Sequence, residues 1–402
     1  MHSYSIPKQL VYTAWLKVKA NAGAAGADNV SIEIFENNLE NELYKLWNRM
    51  SSGSYIAPPV KRVEIAKSDG KLRPLGIPTV ADRVAQMVVK MTLEPGWDYK
   101  FHSSSFGYRP GRSAHQAVQA AKINCWKYSW VIDLDIKGFF DNLNHDQLQK
   151  FVAQATDNPW CQLYIKRWII AGVQMPNDEV QQAEKGTPQG GVISPLLANL
   201  YLHKVFDSWM QKYFPQNPFE RYADDIVCHC RTEREAEQLL SVISRRMQRF
   251  DLTLHPDKTK IVYCGRRKIE RTKAQSFDFL GFTFRRRTVK RKDGKLVPGF
   301  VPAISNKAKK AIVKTMREWK VRRLSRLSIV TLSKKLNPQI RGWLNYYGAF
   351  YPSALQSIRE VIECRLTKWV KGKYPQKRSR RLNAYSWLKQ IKQCRPTLFA
   401  HW

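Results

Sequence analysis

The 402-residue sequence has no apolar stretch near the roughly 18 residues that a membrane-spanning helix requires. Its first 16 residues also lack the apolar segment of a secretory signal peptide. No long repeat or low-complexity tract is present, which argues against a repeat architecture. We therefore expect a protein with no membrane partner that stays in the cytoplasm, because no targeting peptide is seen.

Cysteine is scarce, and its seven copies are scattered and odd in number. That pattern is typical of reduced intracellular thiols and does not indicate a disulfide framework. Cys228-His229-Cys230 could indicate a metal site. However, successive side chains of a strand alternate between its faces, and no second Cys/His pair lies at zinc-ribbon spacing. An ordinary strand is the favoured interpretation.

Acidic residues are few: 33 Asp and Glu stand against 68 Lys and Arg, which gives a formal net charge of +35. Hydrophobic residues make up 43% of the chain, enough to bury a sizeable core, so the sequence is not that of a disordered protein. So large a charge destabilises a compact fold by self-repulsion, which indicates a polyanionic partner. Nucleic acid is favoured over an anionic membrane surface.

The positive charge is concentrated near the C-terminus. From Ile304 onward there are 24 Lys and Arg but only 3 Asp and Glu, a net charge of +21. This segment is rich in helix-forming residues and tryptophan and predicts a basic α-helical domain over 301–402. Residues 51–300 mix helical and strand patterns and predict an α+β fold, with an N-terminal extension over 1–50 before it.

Several individual elements can be predicted from hydrophobic periodicity and turn residues. Helices are expected over 81–93, 189–205 and 233–249, where apolar residues recur at helical spacing. Strands are expected over 129–136 and 278–284, and a basic hairpin over 285–299.

Two adjacent acids follow an apolar strand pattern at Tyr222-Ala223-Asp224-Asp225. The strand before them ends at Tyr222, and another begins directly after them. Adjacent carboxylates repel each other, and a bound divalent cation would offset that repulsion. Because Asp is also a common turn residue, these four residues alone are also compatible with a plain turn.

A second pair of acids lies in the predicted strand over 129–136. Asp133 and Asp135 are two residues apart and therefore face the same side of that strand. A carboxylate within a Val/Ile/Leu strand must be paired or metal-bound. A strand-end carboxylate that faces a hairpin with two more is the layout of a two-metal phosphoryl-transfer site.

Together these motifs resemble the palm of reverse transcriptases, and in detail the group II intron-encoded reverse transcriptase/maturase family. The resemblance spans residues from about 20 to 402 in the family's order. The matching segments are Lys-Ser-Asp-Gly-Lys-Leu-Arg-Pro-Leu-Gly-Ile-Pro at 67–78, Ser-Phe-Gly-Tyr-Arg-Pro-Gly-Arg at 105–112, Asp-Ile-Lys-Gly-Phe-Phe-Asp at 135–141, Gly-Thr-Pro-Gln-Gly-Gly at 186–191, Tyr-Ala-Asp-Asp at 222–225, the primer-grip-like Phe-Leu-Gly-Phe at 279–282, Arg-Gly-Trp-Leu-Asn-Tyr-Tyr at 341–347 and Pro-Thr-Leu-Phe-Ala-His-Trp at 396–402.

The resemblance implies a right-hand polymerase, in which fingers and a palm with an RRM-like antiparallel sheet are followed by an α-helical basic thumb/maturase domain. It implies that Asp135, Asp224, Asp225 and the backbone of Ile136 hold two Mg²⁺ ions, for which Mn²⁺ is an alternative. One ion would activate the primer 3′ hydroxyl, and the other would hold the triphosphate and stabilise the leaving pyrophosphate. A contribution from Asp133 is left open.

The resemblance also implies which residues bind the incoming deoxynucleoside triphosphate (dNTP). Lys67 and Arg73 flank a glycine turn and would clamp the triphosphate. Phe140 would lie under the sugar and exclude a 2′-hydroxyl group. Gln189 would lie in a turn that lets the backbone approach the template–nucleotide pair closely.

Three further basic residues receive roles from the resemblance. Arg109 and Arg112 would contact the backbone of the template. Lys258 would donate a proton to the leaving pyrophosphate, with Lys260 as the alternative donor because it lies close by.

The predicted function is that of an RNA-directed DNA polymerase whose partners are an RNA template, a DNA primer and dNTPs. A second predicted role is that of a maturase, which assists splicing and mobility of a group II intron RNA. One alternative is a domesticated enzyme that serves phage defence, CRISPR spacer acquisition or diversity generation. The other is an RNA-binding splicing factor that needs no polymerase activity, although the intact acidic set argues against it.

The resemblance places the protein in the bacterial cytoplasm, at the nucleoid when bound. Larger members of the family add a DNA-binding segment and an HNH endonuclease after the maturase domain. We do not expect an endonuclease here, because the sequence stops at Trp402. The identity of the RNA partner and the oligomeric state are left open.

Overall fold

The computed structural model describes residues 4–66, 72–265, 274–290, 293–378 and 383–402. Its helices are α1 (Lys8–Asn21), α2 (Ile32–Asn37), α3 (Leu39–Ser51), α4 (Val80–Asp98), α5 (Ala114–Lys127), α6 (His145–Ala155), α7 (Pro159–Ile169), α8 (Ser194–Leu202), α9 (Ser208–Tyr213), α10 (Glu233–Gln248), α11 (Asn306–Glu318), α12 (Ile329–Gly348), α13 (Gln356–Lys373) and α14 (Ala384–Cys394). Within the described ranges, no helix is both long and apolar enough to cross a bilayer.

The strands that accompany these helices pair mainly antiparallel, which confirms the predicted α+β class. They are β1 (Val60–Ala66), β2 (Leu72–Ile77), β3 (Trp130–Asp135), β4 (Val173–Gln174), β5 (Val180–Gln181), β6 (Phe219–Tyr222), β7 (Asp225–Cys230), β8 (Lys260–Tyr263), β9 (Ser276–Phe279), β10 (Phe282–Lys290) and β11 (Leu296–Ile304). They form three sheets with the strand orders β2-β1-β4-β5, β6-β7-β3-β8 and β11-β10-β9. The division into fingers, palm and thumb stays a prediction.

The chain folds into two compact units. The first consists of Met1–Ala117 with Ile132–Ile261, and the second of Val118–Val131 with Val262–Trp402. This is a coarser division than the domains predicted over 1–50, 51–300 and 301–402, which stay predictions.

Helix α4 lies at the centre of the first unit, where it contacts α1, α3, α7 and α8. It is buried on nearly all sides because apolar residues recur all round it, and Thr79 caps its start by accepting a hydrogen bond from Asp82 N at 3.1 Å. The helix predicted over 81–93 is therefore confirmed and continues to Asp98. The helix predicted over 189–205 begins only at Ser194, because a turn occupies the residues before it.

Helix α10 confirms the prediction over 233–249. Thr232 and Glu235 form a capping box, in which each side chain accepts a hydrogen bond from the other's backbone N–H. The buried residues recur at helical spacing and are Ala236, Leu239, Ile243 and Met247. This single apolar stripe attaches α10 to the first unit.

The sheet β6-β7-β3-β8 carries the acidic motifs. Strand β3 confirms the prediction over 129–136 and is mostly buried. Strands β6 and β7 form an antiparallel hairpin in which Tyr222 pairs with Asp225. Cys228 and Cys230 are buried free thiols within β7, in agreement with the interpretation of that segment as an ordinary strand.

The second unit contains the sheet β11-β10-β9, and here one prediction was wrong. The single strand predicted over 278–284 is two strands, β9 and β10, joined at Leu280 and Gly281. Both residues have positive φ, 52° and 80°, which a two-residue hairpin turn of this kind requires. The hairpin predicted over 285–299 is confirmed as part of the long β10–β11 pair.

Helices α11 to α14 pack around one hydrophobic core in the second unit. The buried core residues include Ile312, Met316, Leu332, Leu336, Ile340, Ile358, Ile362, Leu366, Trp369, Leu388 and Phe399. The segment that ends the chain docks on this core, since Asn337 donates to Leu398 O and accepts from Ala400 N, both at 3.0 Å. Trp402 Nε1 donates to Glu363 Oε1 at 2.7 Å. Helices α11 to α14 thus share one hydrophobic core with the segment that follows them.

Candidate active site

Two neighbouring strands carry the acids predicted from the sequence. Strand β3 ends at Asp135 and β7 begins at Asp225, and the two strands lie next to each other in the sheet. Asp225 is exposed, and Asp224 is half-buried in the turn before it. Each of the three carboxylates therefore lies at a strand end and is open to solvent.

A lysine lies beside each acid of β3. Lys258 Nζ is 3.1 Å from Asp135 Oδ2 and 3.3 Å from Oδ1, whereas Lys260 Nζ is 3.7 Å from Asp133 Oδ2. The Lys258 side chain is 59% exposed, so water screens its ion pair, which contributes at most ~1 kcal/mol to stability. Of the two lysines considered as proton donors, Lys258 is the one that contacts Asp135.

The side chains at these strand ends have the donor chemistry that a hard divalent cation prefers. Asp135, Asp224 and Asp225 offer carboxylate oxygens, the ligands that Mg²⁺ prefers. In the structure, the positive charge beside Asp135 is the ammonium of Lys258. Within the part of the chain that the structure describes, no three or more His, Cys, Asp or Glu side chains are close enough together to hold a metal ion.

The backbone of Ile136 is arranged to offer a carbonyl oxygen. Ile136 lies opposite Leu254 in an isolated antiparallel bridge. The hydrogen bonds to that segment are made by its neighbours, Asp135 through its carbonyl and Lys137 through its N–H. Ile136 therefore occupies a non-hydrogen-bonded position, and its carbonyl points away from Leu254.

A tight turn presents Asp224, and a glycine loop lies against that turn. Ala223 has a φ of 57°, as expected at a two-residue hairpin turn. Phe106 N donates to Arg221 O at 2.8 Å and so brings the loop alongside the hairpin. A Cβ atom on Gly107 would collide with the backbone nitrogen of Ala223 and lie 2.9 Å from the carbonyl carbon of Tyr222. Only glycine permits this approach of backbone to backbone.

Replacing Gly107 by Ala should therefore displace the Ala223–Asp224 turn. We expect RNA-templated primer extension to fall by roughly 100-fold, because a shift of about 1 Å in reacting groups has that effect. The rate constant and the thermal unfolding midpoint should be measured together. The matched control is Gly96→Ala, where no atom lies within 4 Å of the added Cβ and α4 favours alanine. Equal rates in the two variants would contradict the prediction.

A buried hydrogen-bond network also stabilises the Ala223–Asp224 turn. The guanidinium of Arg221 donates to both carboxylate oxygens of Asp207, at 2.7 and 2.6 Å, to Asn199 Oδ1 at 2.9 Å and to Ala223 O at 3.1 Å. The side chains of Arg221 and Asp207 are fully buried. Asn199 Nδ2 donates in turn to Gly107 O at 2.8 Å. One buried arginine thus links the turn, a helix and the glycine loop.

The charge of this network is balanced within it. Burial by itself would raise the pKa of Asp207, but the Arg221 guanidinium and His203 hold that pKa below its ordinary value. Asp207 is therefore a carboxylate that neutralises Arg221. Sequence patterns did not identify either residue. The available signal was an arginine in a buried strand directly before the acidic turn, since such a charge requires a partner.

Two of the residues predicted to bind the nucleotide, Phe140 and Gln189, lie in turns that are hydrogen-bonded to each other. Gln189 Nε2 donates to Asp141 Oδ1 at 2.9 Å, and Thr187 N donates to Phe140 O at 2.8 Å. Gly186 has a φ of 85°, and a Cβ on it would lie 2.8 Å from Phe140 O. The structure thus brings Phe140 and Gln189 together through their turns. Phe140 itself is half-buried and contacts Phe139, with ring centroids 5.4 Å apart.

Lys67, which was predicted to clamp the triphosphate, lies outside the described residues. Arg73 belongs to β2, where it pairs with Ile65 of β1. Strand β2 continues to Gly76, whose N–H donates to Gln189 O at 2.8 Å. The strand that carries Arg73 is therefore bonded to the turn that carries Gln189.

Arg109 and Arg112 were predicted to contact the template, and the structure distinguishes them. Arg109 is nearly buried and donates to Asp98 Oδ1 at 2.6 Å and to the carbonyl oxygens of Asp98, His102 and Ser105 at 2.7–2.8 Å. These bonds use four of its five N–H groups. Arg112 is exposed, with its guanidinium 5.6 Å from the Phe106 ring centroid. Arg109 thus holds the loop together, whereas Arg112 is available at its surface.

Two protein families match this chain. The family described as reverse transcriptase (RNA-dependent DNA polymerase) matches residues 65–284. The family described as group II intron, maturase-specific domain matches residues 309–387. The first match contains the acidic strand ends, and the second covers most of the helical core of the second unit.

Comparison with curated proteins gives consistent relatives. The chain is 33% identical over 282 residues to the protein YkfC of Escherichia coli strain K12. The aligned region covers 60% of this chain and 72% of that protein. It is 30% identical over 254 residues to the group II intron-encoded protein LtrA of Lactococcus lactis subsp. cremoris, covering 62% of this chain and 41% of that protein. This chain therefore spans less than half the length of the Lactococcus relative.

Proposed function

Because this chain belongs to the group II intron-encoded reverse transcriptase/maturase family, we propose that it is an RNA-directed DNA polymerase that extends a DNA primer along an RNA template. The observation that carries the proposal is that Asp135 ends β3 and Asp224-Asp225 lead into β7, its neighbour in the same sheet. The same chemistry would use dNTPs as substrates and release pyrophosphate.

Divalent metal ions are general in this family, and here the proposed ligands are Asp135, Asp224, Asp225 and the Ile136 carbonyl. Two bound Mg²⁺ ions, or Mn²⁺ in their place, would supply Lewis-acid activation of the primer hydroxyl and charge neutralisation at the triphosphate. The three carboxylates would hold the metal ions at the strand ends. Lys258, whose Nζ lies 3.1 Å from Asp135 Oδ2, would protonate the leaving pyrophosphate.

Substrate selection would use the two turns that meet beside β3. Asp141 holds the amide of Gln189 at 2.9 Å and so fixes the turn on which the template–nucleotide pair would rest. Phe140 would exclude a 2′-hydroxyl group, and Lys67 and Arg73 would bind the triphosphate. Of the two arginines proposed for the template, the exposed Arg112 is the better placed to contact its phosphates.

RNA-templated primer extension tests the proposed activity and sugar selection together. With Mg²⁺, the full chain should extend a DNA primer with dNTPs and discriminate against ribonucleotides. Phe140→Val should lower that discrimination by roughly 10–200-fold, the usual value of one steric contact in a pocket. The measurement is the ratio of kcat/KM for a dNTP to that for the matching ribonucleotide. Absence of extension by the parent would overturn the proposal, and an unchanged ratio would remove Phe140 from this role.

We also propose that the chain acts as a maturase, an RNA-binding function that supports splicing and mobility of a group II intron. Its support is the maturase-specific match at 309–387 together with the net charge of +21 after Ile304. That match favours an intron-encoded protein over a domesticated defence or CRISPR enzyme. A splicing factor without polymerase activity is not favoured, because the polymerase match includes the acidic residues.

The lysines of α11 should contribute to RNA affinity. Lys307, Lys309, Lys310 and Lys314 lie on this helix, whose buried residues are Ile312 and Met316. Changing the four lysines to Gln should weaken RNA binding and reduce the slope of log K against log salt by up to about 4, one unit for each phosphate that the variant no longer neutralises. Filter binding across a salt series gives both quantities.

The matched control for this prediction removes four exposed lysines from the first unit instead: Lys17, Lys150, Lys166 and Lys212. The net charge of both variants is then equal. If the two variants lost the same affinity and salt slope, general charge would explain binding, and α11 would have no special part in it.

A further inference from the structure

A polar pocket lies beside the proposed catalytic strand end. It has a volume of about 490 Å³ and is lined by Lys137, Asn142, Asn144, Lys185, Asp251 and Thr253. All six lining residues are polar or charged, so the pocket does not suit an apolar ligand. We name it the lysine pocket.

The lysine pocket opens on the same face as Asp135. Lys137 follows Asp135 by two residues, and the intervening Ile136 is buried while the two charged residues are not. Ile136 bridges Leu254 just beyond β3, and Asp135 and Lys137 make the backbone hydrogen bonds on either side of it. The chain is therefore extended here, so that Asp135 and Lys137 face the same side with Cα atoms about 7 Å apart. Lys137 N donates to Thr253 O at 2.8 Å, which holds this geometry. A ligand in the pocket is therefore within reach of the groups around Asp135.

The walls of the pocket are fixed by hydrogen bonds that leave its lysines unpaired. Asn142 Nδ2 donates to Lys137 O and Gly138 O at 3.1 and 3.0 Å, and Asn144 Nδ2 donates to Asp251 Oδ2 at 2.8 Å. Within the described residues, neither Lys137 nor Lys185 forms an ion pair. Asp251, the one acid of the lining, is held by an amide and not by an ammonium.

Two unpaired ammonium groups that line one concave site repel each other, and an anion with more than one charge would relieve that repulsion. Phosphate groups accept hydrogen bonds from ammonium groups and from the hydroxyl and amide groups that complete the lining. Resting on the proposed polymerase function, we infer that the lysine pocket binds a polyphosphate. The source is either the pyrophosphate released by nucleotide addition or the triphosphate of a nucleotide.

Product inhibition tests this inference. The double variant Lys137→Gln, Lys185→Gln keeps the side-chain stems and removes both charges. We expect the pyrophosphate concentration that halves primer extension to rise about tenfold, and pyrophosphorolysis to slow accordingly, because two charge-assisted hydrogen bonds to phosphate are removed. The matched control is Lys150→Gln, Lys166→Gln, which removes two exposed charges from the same unit. This control should leave inhibition by pyrophosphate unchanged.

Two readouts identify the source of the polyphosphate. A rise in the inhibitory pyrophosphate concentration without a rise in KM for dNTP assigns the pocket to the product. A raised KM for dNTP with unchanged inhibition by pyrophosphate assigns it to the triphosphate of the substrate. If neither quantity differs between the double variant and its control, the inference is overturned.

The inference can fail separately from the proposed function. If the parent chain extends no primer, the polymerase proposal fails, and the pocket is then judged by ³¹P NMR titration of inorganic pyrophosphate. Binding to the parent that weakens in the Lys137/Lys185 variant but not in the control would support the pocket. Equal binding to all three proteins would overturn it.

Discussion

Asp135→Asn and Asp224→Asn are each expected to abolish RNA-templated primer extension. Either change removes one negative charge from the strand ends that would hold the metal ions. Metal coordination stabilises the transition state by several kcal/mol, and 1.36 kcal/mol corresponds to a tenfold change in rate, so a loss of roughly 1,000-fold or more is expected. The fold should persist, because Lys258 is 59% exposed, so that water screens its ion pair with Asp135 and the pair contributes little to stability.

Single-turnover extension with Mg²⁺ measures this loss, with thermal unfolding and RNA binding recorded on the same preparations. Asp157→Asn is the matched control, because it removes one exposed carboxylate from the same unit without touching the strand ends. Retention of a rate within tenfold of the parent by either variant would refute the assignment of these carboxylates. We expect RNA affinity to be unchanged, because the carboxylates are proposed to contact metal ions and not the phosphates of RNA.

The same variants separate the two proposed functions. If the Asp224→Asn protein still promotes intron splicing, polymerisation and maturase activity depend on different parts of the chain. If it lost splicing while it kept its fold and RNA affinity, the acids of the first unit would also be needed for the maturase role. This second result would contradict the division of functions proposed above.

Local patterns predicted the elements that carry the acids. Strand β3 and the β6–β7 hairpin follow from apolar runs that end at Asp135 and at the Ala223–Asp224 turn. Helices α4 and α10 follow from apolar periodicity and from their capping residues. These features are determined within a few residues of sequence, so a single sequence is sufficient to find them.

Turn chemistry was less predictable. The residues 278–284 have the pattern of one apolar strand, yet Leu280 and Gly281 both adopt positive φ and reverse the chain. A leucine rarely adopts that conformation, so the residue type at position 280 did not predict a turn. The backbone is fixed by the pairing of β9 with β10 and by Tyr346, whose hydroxyl donates to Leu280 O at 3.0 Å. Leu280 and Tyr346 are 66 residues apart in the sequence, so a local pattern cannot predict their contact.

Long-range contacts also explain what the sequence analysis missed around the acidic turn. Gly107 and Asn199 reach that turn from separate parts of the chain, and Asp207 lies 14 residues before Arg221. None of these pairs has a spacing that is typical of a motif. For Arg109, the sequence motif predicted a template contact, which stays a prediction, but gave no sign of the hydrogen bonds that its side chain makes to Asp98 and to loop carbonyls.

Arg221→Met is expected to destabilise the first unit by about 3–5 kcal/mol, because it leaves the buried carboxylate of Asp207 without its partner. Met has a similar length and cannot donate the bonds to Asp207, Asn199 and Ala223. Without Arg221, burial should raise the pKa of Asp207, whereas the parent holds that pKa below its ordinary value. A carboxyl group with a raised folded-state pKa destabilises the protein when it ionises, so the deficit of the variant should shrink as pH falls through that raised pKa.

Denaturant unfolding of the parent and the variant at a series of pH values measures this deficit. The double variant Arg221→Met, Asp207→Leu separates the loss of an ion pair from the loss of position. Replacing both partners of a buried pair by apolar residues is often neutral, so the double variant should regain most of the lost stability and should lose the pH dependence of the deficit. It should not regain primer extension, because Ala223 O still lacks the donor that fixes the turn at Asp224. If the double variant were as unstable as Arg221→Met, the arginine would stabilise the unit through contacts other than the one with Asp207. If the double variant were as active as the parent, the Ala223–Asp224 turn would not need the hydrogen bond from Arg221.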